Sequence, residues 1–157
     1  MSEVKTGALI VIEQEENLKE FERTGIPVDS VLTSQLLVNI FEHNTPLHDG
    51  AVVIRKNRIM AATCYLPLSE SLSLNKNLGT RHRAGLGISE VSDSFTIIIS
   101  EETGKVAYAV GGKLTTAVSA SELREALYHL QTNQKINDDQ NIYRRIRGRV
   151  KNEEKTH

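Results

Sequence analysis

The segment NLGTRHRAG, residues 77–85, places Arg81, His82 and Arg83 next to one another at the start of a predicted helix. Thr80 is a suitable N-cap for this helix, so the three basic side chains fall in its first turn. The positive end of the helix dipole disfavours cations there. It favours anions, because free backbone amides point outward and arginines form forked hydrogen bonds with phosphate. The segment therefore predicts a phosphate-binding helix start, against the alternative that the arginines turn outward to carboxylates elsewhere.

A second segment, PLHDGAVVI at residues 46–54, brings Asp49 and Gly50 to the entrance of an apolar run. Asp-Gly is a common hairpin turn, but residues 44–47 make a poor preceding strand, so we expect a loop that enters a buried strand. Gly50 would then allow a ligand to approach the backbone closely, and Asp49 would project from the strand end. Three roles remain open for His48: a metal ligand, a base or a side chain that is merely exposed.

A third segment, ISEETGK at residues 99–105, ends an apolar strand with Glu101 and Glu102. Acidic residues at a turn are usually solvated, and that is the interpretation of this segment taken alone. Two carboxylates at a strand end can also hold Mg²⁺ or Mn²⁺, which take oxygen ligands and often bridge substrate phosphates.

Together the three segments supply a phosphate clamp, a metal carboxylate and a general base, which are the parts of a phosphoryl-transfer site. The sequence contains neither a Walker A motif nor a GxGxxG fingerprint, which excludes a P-loop and a Rossmann nucleotide site. The His48-Asp49 doublet also suggests a metal phosphohydrolase. Those enzymes place the doublet on a helix, whereas an apolar strand follows it here, so this alternative is the weaker one.

Strands and helices alternate along the chain, and these elements must position the three segments. Apolar runs predict strands at residues 8–12, 50–54, 59–68, 94–100 and 105–112, with hairpins at 55–58 and 101–104. Helical spacing predicts helices at 17–23, within 29–44 with Thr33 or Ser34 as cap, after Thr80, and at 119–131 with Ser119 or Ser121 as cap. Residues 133–141 are predicted to be a linker. Because most helices separate strands, the pattern predicts an α/β layered domain.

Composition narrows the class of protein. The 157 residues suffice for one domain, and 19 basic against 20 acidic residues argue against a nucleic-acid polycation. Trp is absent and aromatic residues make up 4%, which argues against a stacking surface for single strands. The single cysteine, Cys64, excludes an intrachain disulfide and suits a reducing compartment. No apolar stretch approaches the ~20 residues that cross a bilayer.

These residues resemble the diadenylate cyclase (DAC) domain family. Its signature pieces are an Asp-Gly-Ala triplet, a Gly-Thr-Arg-His-Arg stretch and a Ser-Glu-Glu near a strand end, which stand in that order at 49–51, 79–83 and 100–102. The similarity runs from about Gly7 to about Leu130. Residues 43–54 and 64–69 most resemble the membrane-bound CdaA type of Gram-positive bacteria. The resemblance implies a single layered α/β domain, with a central mixed sheet flanked by helices.

The resemblance also implies a reaction, in which two ATP molecules condense to the bacterial second messenger cyclic di-AMP and release two pyrophosphates. Asp49 would assist deprotonation of the ribose 3′-hydroxyl, and Gly50 and Ala51 would lie against the nucleotide. Tyr65 would stack on adenine, which Leu66 would contact through its backbone. The resemblance places the triphosphate against Gly79, Thr80, Arg81, His82 and Arg83, with Ser100 and Glu101 beside it. It also implies a divalent metal, Mn²⁺ or Mg²⁺ with Co²⁺ as a further option. Glu102 and His48 would hold this metal.

The product implied by the resemblance is a two-fold ring, in which each adenosine 3′-oxygen has attacked the α-phosphate of the other. One such set of residues should hold one ATP, so two domains must face each other in a homodimer for turnover. A non-catalytic adenine-nucleotide sensor on the same fold is the alternative from another class. The intact Asp49 and Glu102 argue against it.

Members of the CdaA type carry N-terminal transmembrane helices, and this sequence shows none. We therefore expect either an excised cytosolic domain or a soluble protein, in the cytoplasm or at the cytosolic face of the membrane. Residues 1–130 are predicted to form the catalytic domain and residues 131–157 a polar, basic extension. For the extension, disorder is favoured over contact with anionic lipid.

Overall fold

The computed structural model of the protein describes Met1, residues 4–71, 74, 76 and 78–155, with side chains up to residue 149. The chain forms two compact units, Met1–Val118 and Ser119–His157. Within the described residues, no helix combines the length and the apolar composition that crossing a membrane requires. The predicted division into a catalytic domain (1–130) and an extension (131–157) concerns function and stays a prediction.

The described residues of the first unit form seven strands and three helices, and those of the second form one helix. In chain order the elements are β1 (Ala8–Ile12), α1 (Lys19–Glu22), β2 (Ile26–Val31), α2 (Ser34–Ile40), β3 (Ala51–Arg55), β4 (Arg58–Cys64), α3 (Thr80–Val91), β5 (Phe95–Ile99), β6 (Val106–Val110), β7 (Lys113–Val118) and α4 (Ala120–Lys155).

The strands make one sheet in the order β2-β4-β3-β1-β5-β6-β7. Strands β1 and β3 run parallel, and every other neighbouring pair is antiparallel. The sheet is therefore mixed, which confirms the predicted α/β layered fold. Both predicted hairpins are also confirmed, because β3 pairs with β4 and β5 with β6 in antiparallel register.

The core lies at the centre of the sheet, where β1, β3 and β5 are almost wholly buried. Continuous runs of Ile, Val and Ala suit strands that are covered on both faces, which explains why these strands show no polar alternation. Helix α3 contributes Ala84 and Ile88 to this core, together with Leu9 of β1 and Ile98 of β5. The packing fixes the start of α3 close to the end of β5.

Two strands were not expected from the sequence. Strand β2 contains Pro27 and a positive φ of 46° at Asp29, and it pairs irregularly with β4 at the edge of the sheet. Proline is tolerated at such an edge, but it obscures the pattern of a strand in the sequence. Strand β7 (KLTTAV) has only a short apolar signal and depends on pairing with β6 at the opposite edge.

At the helix ends, two predicted caps are confirmed, whereas one predicted cap and one predicted linker are wrong. Thr33 caps α2, since its Oγ1 accepts from the Leu36 amide at 3.1 Å, and the Ser119 Oγ accepts from the Glu122 amide at 3.1 Å at the start of α4. The predicted cap Thr80 is wrong, because Gly79 is the N-cap of α3 and Thr80 its first helical residue. The predicted linker at 133–141 is also wrong, because α4 continues through it to Lys155.

Candidate active site

A cavity of about 720 Å³ in the first unit brings the three chemically suggestive segments together. Its volume falls in the range of small-molecule sites. The cavity forms where the loop before β3, the start of α3 and the turn after β5 meet. Most of the predicted site residues line its wall: Asp49, Gly50, Tyr65, Leu66, Gly79, Thr80, Arg81, His82, Ser100, Glu101 and Glu102.

Three predicted residues lie outside this wall. His48 precedes Asp49 in the loop, Ala51 is fully buried as the first residue of β3, and Arg83 turns away from the cavity as α3 proceeds. Residues two apart on a helix differ in direction by about 200°, so Arg81 and Arg83 do not face the same point.

The Asp49-Gly50 pair presents an exposed carboxylate where the backbone passes close to residues 63 and 64. Gly50 has a φ of 78°, and a Cβ there would lie 2.9 Å from the Cys64 carbonyl oxygen. Both features require glycine. The Asp49 side chain is 85% exposed. This local geometry follows the predicted entry of a loop into a buried strand, and it leaves the carboxylate accessible to a ligand in the cavity.

His48 is oriented by the backbone of its own loop. Its Nδ1 lies 2.6 Å from the carbonyl oxygen of Thr45 and therefore donates to it. In the neutral imidazole, Nε2 is then the unprotonated nitrogen. That nitrogen lies 3.4 Å from Asp49 Oδ1, and the two side chains form an ion pair when the imidazole is protonated.

The turn after β5 is tied together by Ser100. The Ser100 amide donates to the Lys105 carbonyl at 3.0 Å, and the Gly104 amide donates to the Ser100 carbonyl at 2.9 Å. The Ser100 hydroxyl accepts from the Thr103 amide at 3.3 Å. This bonding holds the exposed carboxylates of Glu101 and Glu102 at the cavity.

The start of α3 has the cationic character that the sequence predicted, with no acidic residue in its first turn. Arg81 Nη1 forms an ion pair with Glu101 Oε2 at 3.1 Å. Its Nε is buried and has no acceptor among the described residues. The sequence left two roles open for Arg81, pairing with a carboxylate or binding phosphate. In the structure Arg81 is paired with Glu101, and it also lines the cavity.

His82 is a buried side chain, 8% exposed, on the same wall. Burial lowers the pKa of its imidazole, the charge of Arg81 lowers that pKa further, and Glu102 opposes both effects. The imidazole is therefore uncharged near neutral pH. It can offer one donor and one acceptor to a ligand without adding charge.

The apolar end of the cavity contains Tyr65 and Leu66 directly after β4. The Tyr65 ring is exposed, and its amide donates to the Thr24 hydroxyl at 2.8 Å. Leu66 packs partly against the core. The loop they begin is anchored to α3, since the Ser69 amide donates to the Arg83 carbonyl at 2.9 Å and the Ser69 hydroxyl contacts Glu90.

Cys64 also lines the cavity, and its thiol supplies a pH-dependent test of the structure. Burial raises the pKa of Cys64 to about 11, and the charge of Glu22 adds to the rise. Because the thiolate is the reactive form, alkylation of the native protein by iodoacetamide should accelerate about tenfold per pH unit between pH 7 and 10. An exposed thiol would level off near its usual pKa of about 8.5. Levelling of the measured rate near pH 9 would contradict the burial of Cys64.

The sequence missed the part of the wall formed by β6 and β7. Lys105, Val106, Ala107, Thr116 and Ala117 all line the cavity. Nothing in their spacing pointed to a ligand. The positive φ of 53° at Ala117 is a structural mark of this region, but it is not readable from an alanine in the sequence.

The side chains at this site supply only some of the ligands that a divalent cation needs. Among the described residues, no three His, Cys, Asp or Glu side chains are grouped as a metal site. Mg²⁺ and similar hard cations are often bound by one or two carboxylates plus substrate phosphates. Glu102 on the wall fits that incomplete pattern, in which a nucleotide supplies the missing oxygens, whereas His48, the other predicted ligand, lies outside the wall and contacts Asp49.

Comparison with known proteins gives consistent matches. Residues 1–114 match the family described as "DAC: DisA bacterial checkpoint controller nucleotide-binding". The chain is 53% identical over 127 residues to the cyclic di-AMP synthase CdaA of Bacillus subtilis, a match that covers 81% of this chain and 46% of that protein. The diadenylate cyclase of Listeria monocytogenes matches with the same identity and coverage. The chain thus spans about half the length of these curated relatives.

The fold comparison agrees with the sequence comparison. The crystal structure of a double mutant of DacA from Staphylococcus aureus is similar with a TM-score of 0.81 at 49% identity. The match covers 82% of this chain and 86% of that one. Because the family match spans most of the chain and the relatives are so similar, the protein belongs to the DAC family.

Proposed function

We propose that this chain is the catalytic domain of a diadenylate cyclase, a nucleotidyltransferase that condenses two ATP molecules to cyclic di-AMP and two pyrophosphates. One observation carries the proposal: a single cavity unites the exposed carboxylate of Asp49, the cationic start of α3 and the acidic turn after β5. The named activities of the relatives support it. The lone, buried cysteine supports a cytoplasmic location, where ATP is available.

The cavity has distinct surfaces for the parts of ATP. The exposed ring of Tyr65 offers a stacking face for adenine, beside Leu66. Gly50 lines the cavity, and its backbone is the proposed contact with the nucleotide, with Ala51 buried behind it. The triphosphate would then reach the start of α3, where Gly79, Thr80 and Arg81 line the wall.

Asp49 is the proposed general base for the ribose 3′-hydroxyl. Carboxylates are weak bases for an alcohol, so the barrier must also fall through placement of the attacking oxygen in line with the α-phosphate and through stabilisation of charge on that phosphate. Arg81, His82 and Ser100 lie on the wall where that charge would develop. We propose Arg83 as a supporting cation, although it lies outside the wall.

Glu102 and His48 are the proposed ligands of a divalent cation, either Mn²⁺ or Mg²⁺, with Co²⁺ as a further option. When bound, the cation would supply charge neutralisation at the phosphates. Glu101 lies next to Glu102 and neutralises Arg81 before nucleotide binds. We propose that it adjusts the charge of the phosphate site rather than holding the metal.

Turnover is proposed to need a homodimer. The described cavity contains one base and one phosphate-binding helix start, which suit one ATP, whereas the product contains two adenosines. Two copies facing each other about a two-fold axis would bring both 3′-hydroxyls to the opposite α-phosphates. Membrane attachment, if the chain is part of a longer protein, would involve segments outside this sequence.

Resolving the products after incubation with ATP and Mn²⁺ tests the proposed function directly. Cyclic di-AMP with two equivalents of pyrophosphate supports the cyclase. Unchanged ATP, with binding retained, would support the nucleotide sensor instead. ADP or AMP would support the phosphohydrolase, which the structure disfavours because His48 and Asp49 lie in a loop rather than on a helix.

ATP should also stabilise the folded protein. A ligand at about 100 times its Kd adds about 2.7 kcal/mol to the free energy of unfolding, which for a chain of this size raises Tm by about 5–10 °C. We expect this rise from ATP with Mg²⁺ in thermal unfolding, because phosphate would add anionic acceptors for Arg81 and for the free amides at the start of α3. Adenosine should give a smaller rise. An unchanged Tm at saturating ATP and metal would contradict the phosphate clamp.

A further inference from the structure

Three chain segments converge at Gly7. This buried residue directly precedes β1, and its neighbour Ala8 pairs with Ile99 at the end of β5. A Cβ on Gly7 would lie 2.7 Å from both Cζ and Nη1 of Arg81 and 3.0 Å from the Cβ of Glu101. The Arg81 guanidinium therefore occupies the space that any other side chain at position 7 would fill.

The guanidinium is held between two constraints. On one side, Nη1 forms an ion pair with Glu101 Oε2 at 3.1 Å. On the other, the bare backbone of Gly7 lies directly against Cζ. The Nε atom is buried without an acceptor among the described residues, so hydrogen bonding alone does not fix the orientation of the group. Steric fit against Gly7 supplies the missing constraint.

The backbone of Gly7 does not itself require glycine, since its φ lies outside the left-handed region. Alanine could adopt the same conformation, and the substitution would act through volume alone. Carbon contacts below about 3 Å cannot persist, so the guanidinium, the turn at Glu101 or both would have to move.

We propose that Gly7 is a positioning residue for the triphosphate: by lacking a side chain, it seats the Arg81 guanidinium against the cavity wall in the orientation that receives phosphate. The proposal rests on the proposed function, because it takes a nucleoside triphosphate as the ligand. It adds a residue far from the signature segments in sequence. A side chain at position 7 should displace the guanidinium from this orientation and weaken binding of phosphates, while binding of the adenosine part is unaffected.

A double-mutant cycle with Arg81→Lys separates this role from a general effect on β1. Lysine keeps the positive charge but lacks both Nη groups. Its Nζ ends where Cζ lies in arginine, and this unbranched, flexible end can turn aside from a Cβ at position 7, which the rigid planar guanidinium cannot do without leaving its orientation. The probe is α,β-methylene-ATP with Mg²⁺, whose bridging carbon prevents release of pyrophosphate. We expect Gly7→Ala to weaken its binding about tenfold in the otherwise unaltered protein and less than about twofold in the Arg81→Lys protein.

Two comparisons complete the experiment. Adenosine, which has no phosphate, should bind equally well with and without Gly7→Ala. Gly148→Ala is the matched control, because a Cβ there meets no atom within 4 Å and the residue lies in α4; it should leave binding of both probes unchanged.

Each other outcome overturns the inference. An equal loss of analogue binding in both Arg81 backgrounds, or an equal loss for adenosine, would show that Gly7 acts on the strand and not through the guanidinium. If the Gly7→Ala protein fails to fold, folding of the Gly7→Ala/Arg81→Lys protein would support the steric role of Gly7 toward Arg81. Misfolding of both proteins would refute that role. Failure of the unaltered protein to bind the analogue would instead overturn the proposed function, and with it the positioning role of Gly7.

Discussion

Replacing Asp49 by Asn should abolish formation of cyclic di-AMP while leaving ATP bound. The amide keeps the size and exposure of the side chain but cannot take a proton from the ribose 3′-hydroxyl. General-base catalysis contributes about 10²–10⁴-fold, so we expect the rate of product formation to fall by about 10³-fold. The Kd of α,β-methylene-ATP should stay within about threefold, because the proposed contact of the carboxylate is with the ribose and not with the phosphates.

The matched control is Asp139→Asn, which removes the same charge from an exposed position on α4 outside the cavity. It should leave both rate and affinity unchanged. Near-normal turnover by the Asp49→Asn protein would exclude Asp49 as the base. A large loss of analogue binding would assign it to substrate binding instead.

The residues that line the candidate site were largely predictable, because they are clustered in three short segments of the sequence. Gly50 needs a glycine for its backbone angle, and the Asp49 carboxylate follows from the same loop. The cations at the start of α3 and the acidic turn after β5 are contiguous too. Short segments of this kind carry their meaning locally, so neither the sheet order nor the packing was needed to find them.

The edges of the sheet and the far wall of the cavity were not predictable. Strand β2 is irregular at Asp29, and β7 contains few apolar residues, so both depend on pairing with a neighbour rather than on local pattern. Missing β7 also meant missing Thr116 and Ala117 on the cavity wall. The length of α4 was missed because its polar composition resembles a linker, although the segment contains no proline and only Gly148 as a helix breaker.

Contacts between distant segments also required the structure. The sequence presented Arg81 and Arg83 as an equivalent pair, yet only Arg81 reaches the cavity, since the helix turns the other away. The ion pair between Arg81 and Glu101 joins residues 20 positions apart. Gly7 gave no signal, because a glycine before a strand has many possible reasons and only its distance to Arg81 selects one.

Mixing inactive with active subunits should reveal the dimer as a loss of activity larger than dilution can explain. If each product ring needs one working Asp49 in each of two facing subunits, only dimers of two unaltered subunits complete it. Replacing half of the protein by Asp49→Asn at constant total concentration would then leave about one quarter of the activity, since about one quarter of the dimers are unaltered. Independent subunits would retain about one half.

The measurement requires that subunits exchange between dimers and that nearly all of the protein is dimeric. Specific activity must therefore be constant over the concentration range used, and the two proteins must be incubated together until the rate stops changing. Replacing half of the protein by Asp139→Asn is the control, and it should leave full activity. Mixed dimers should release one pyrophosphate and accumulate the linear, half-joined dinucleotide, which chromatography separates from the ring. Retention of half the activity without a linear product would show that each subunit completes the reaction alone.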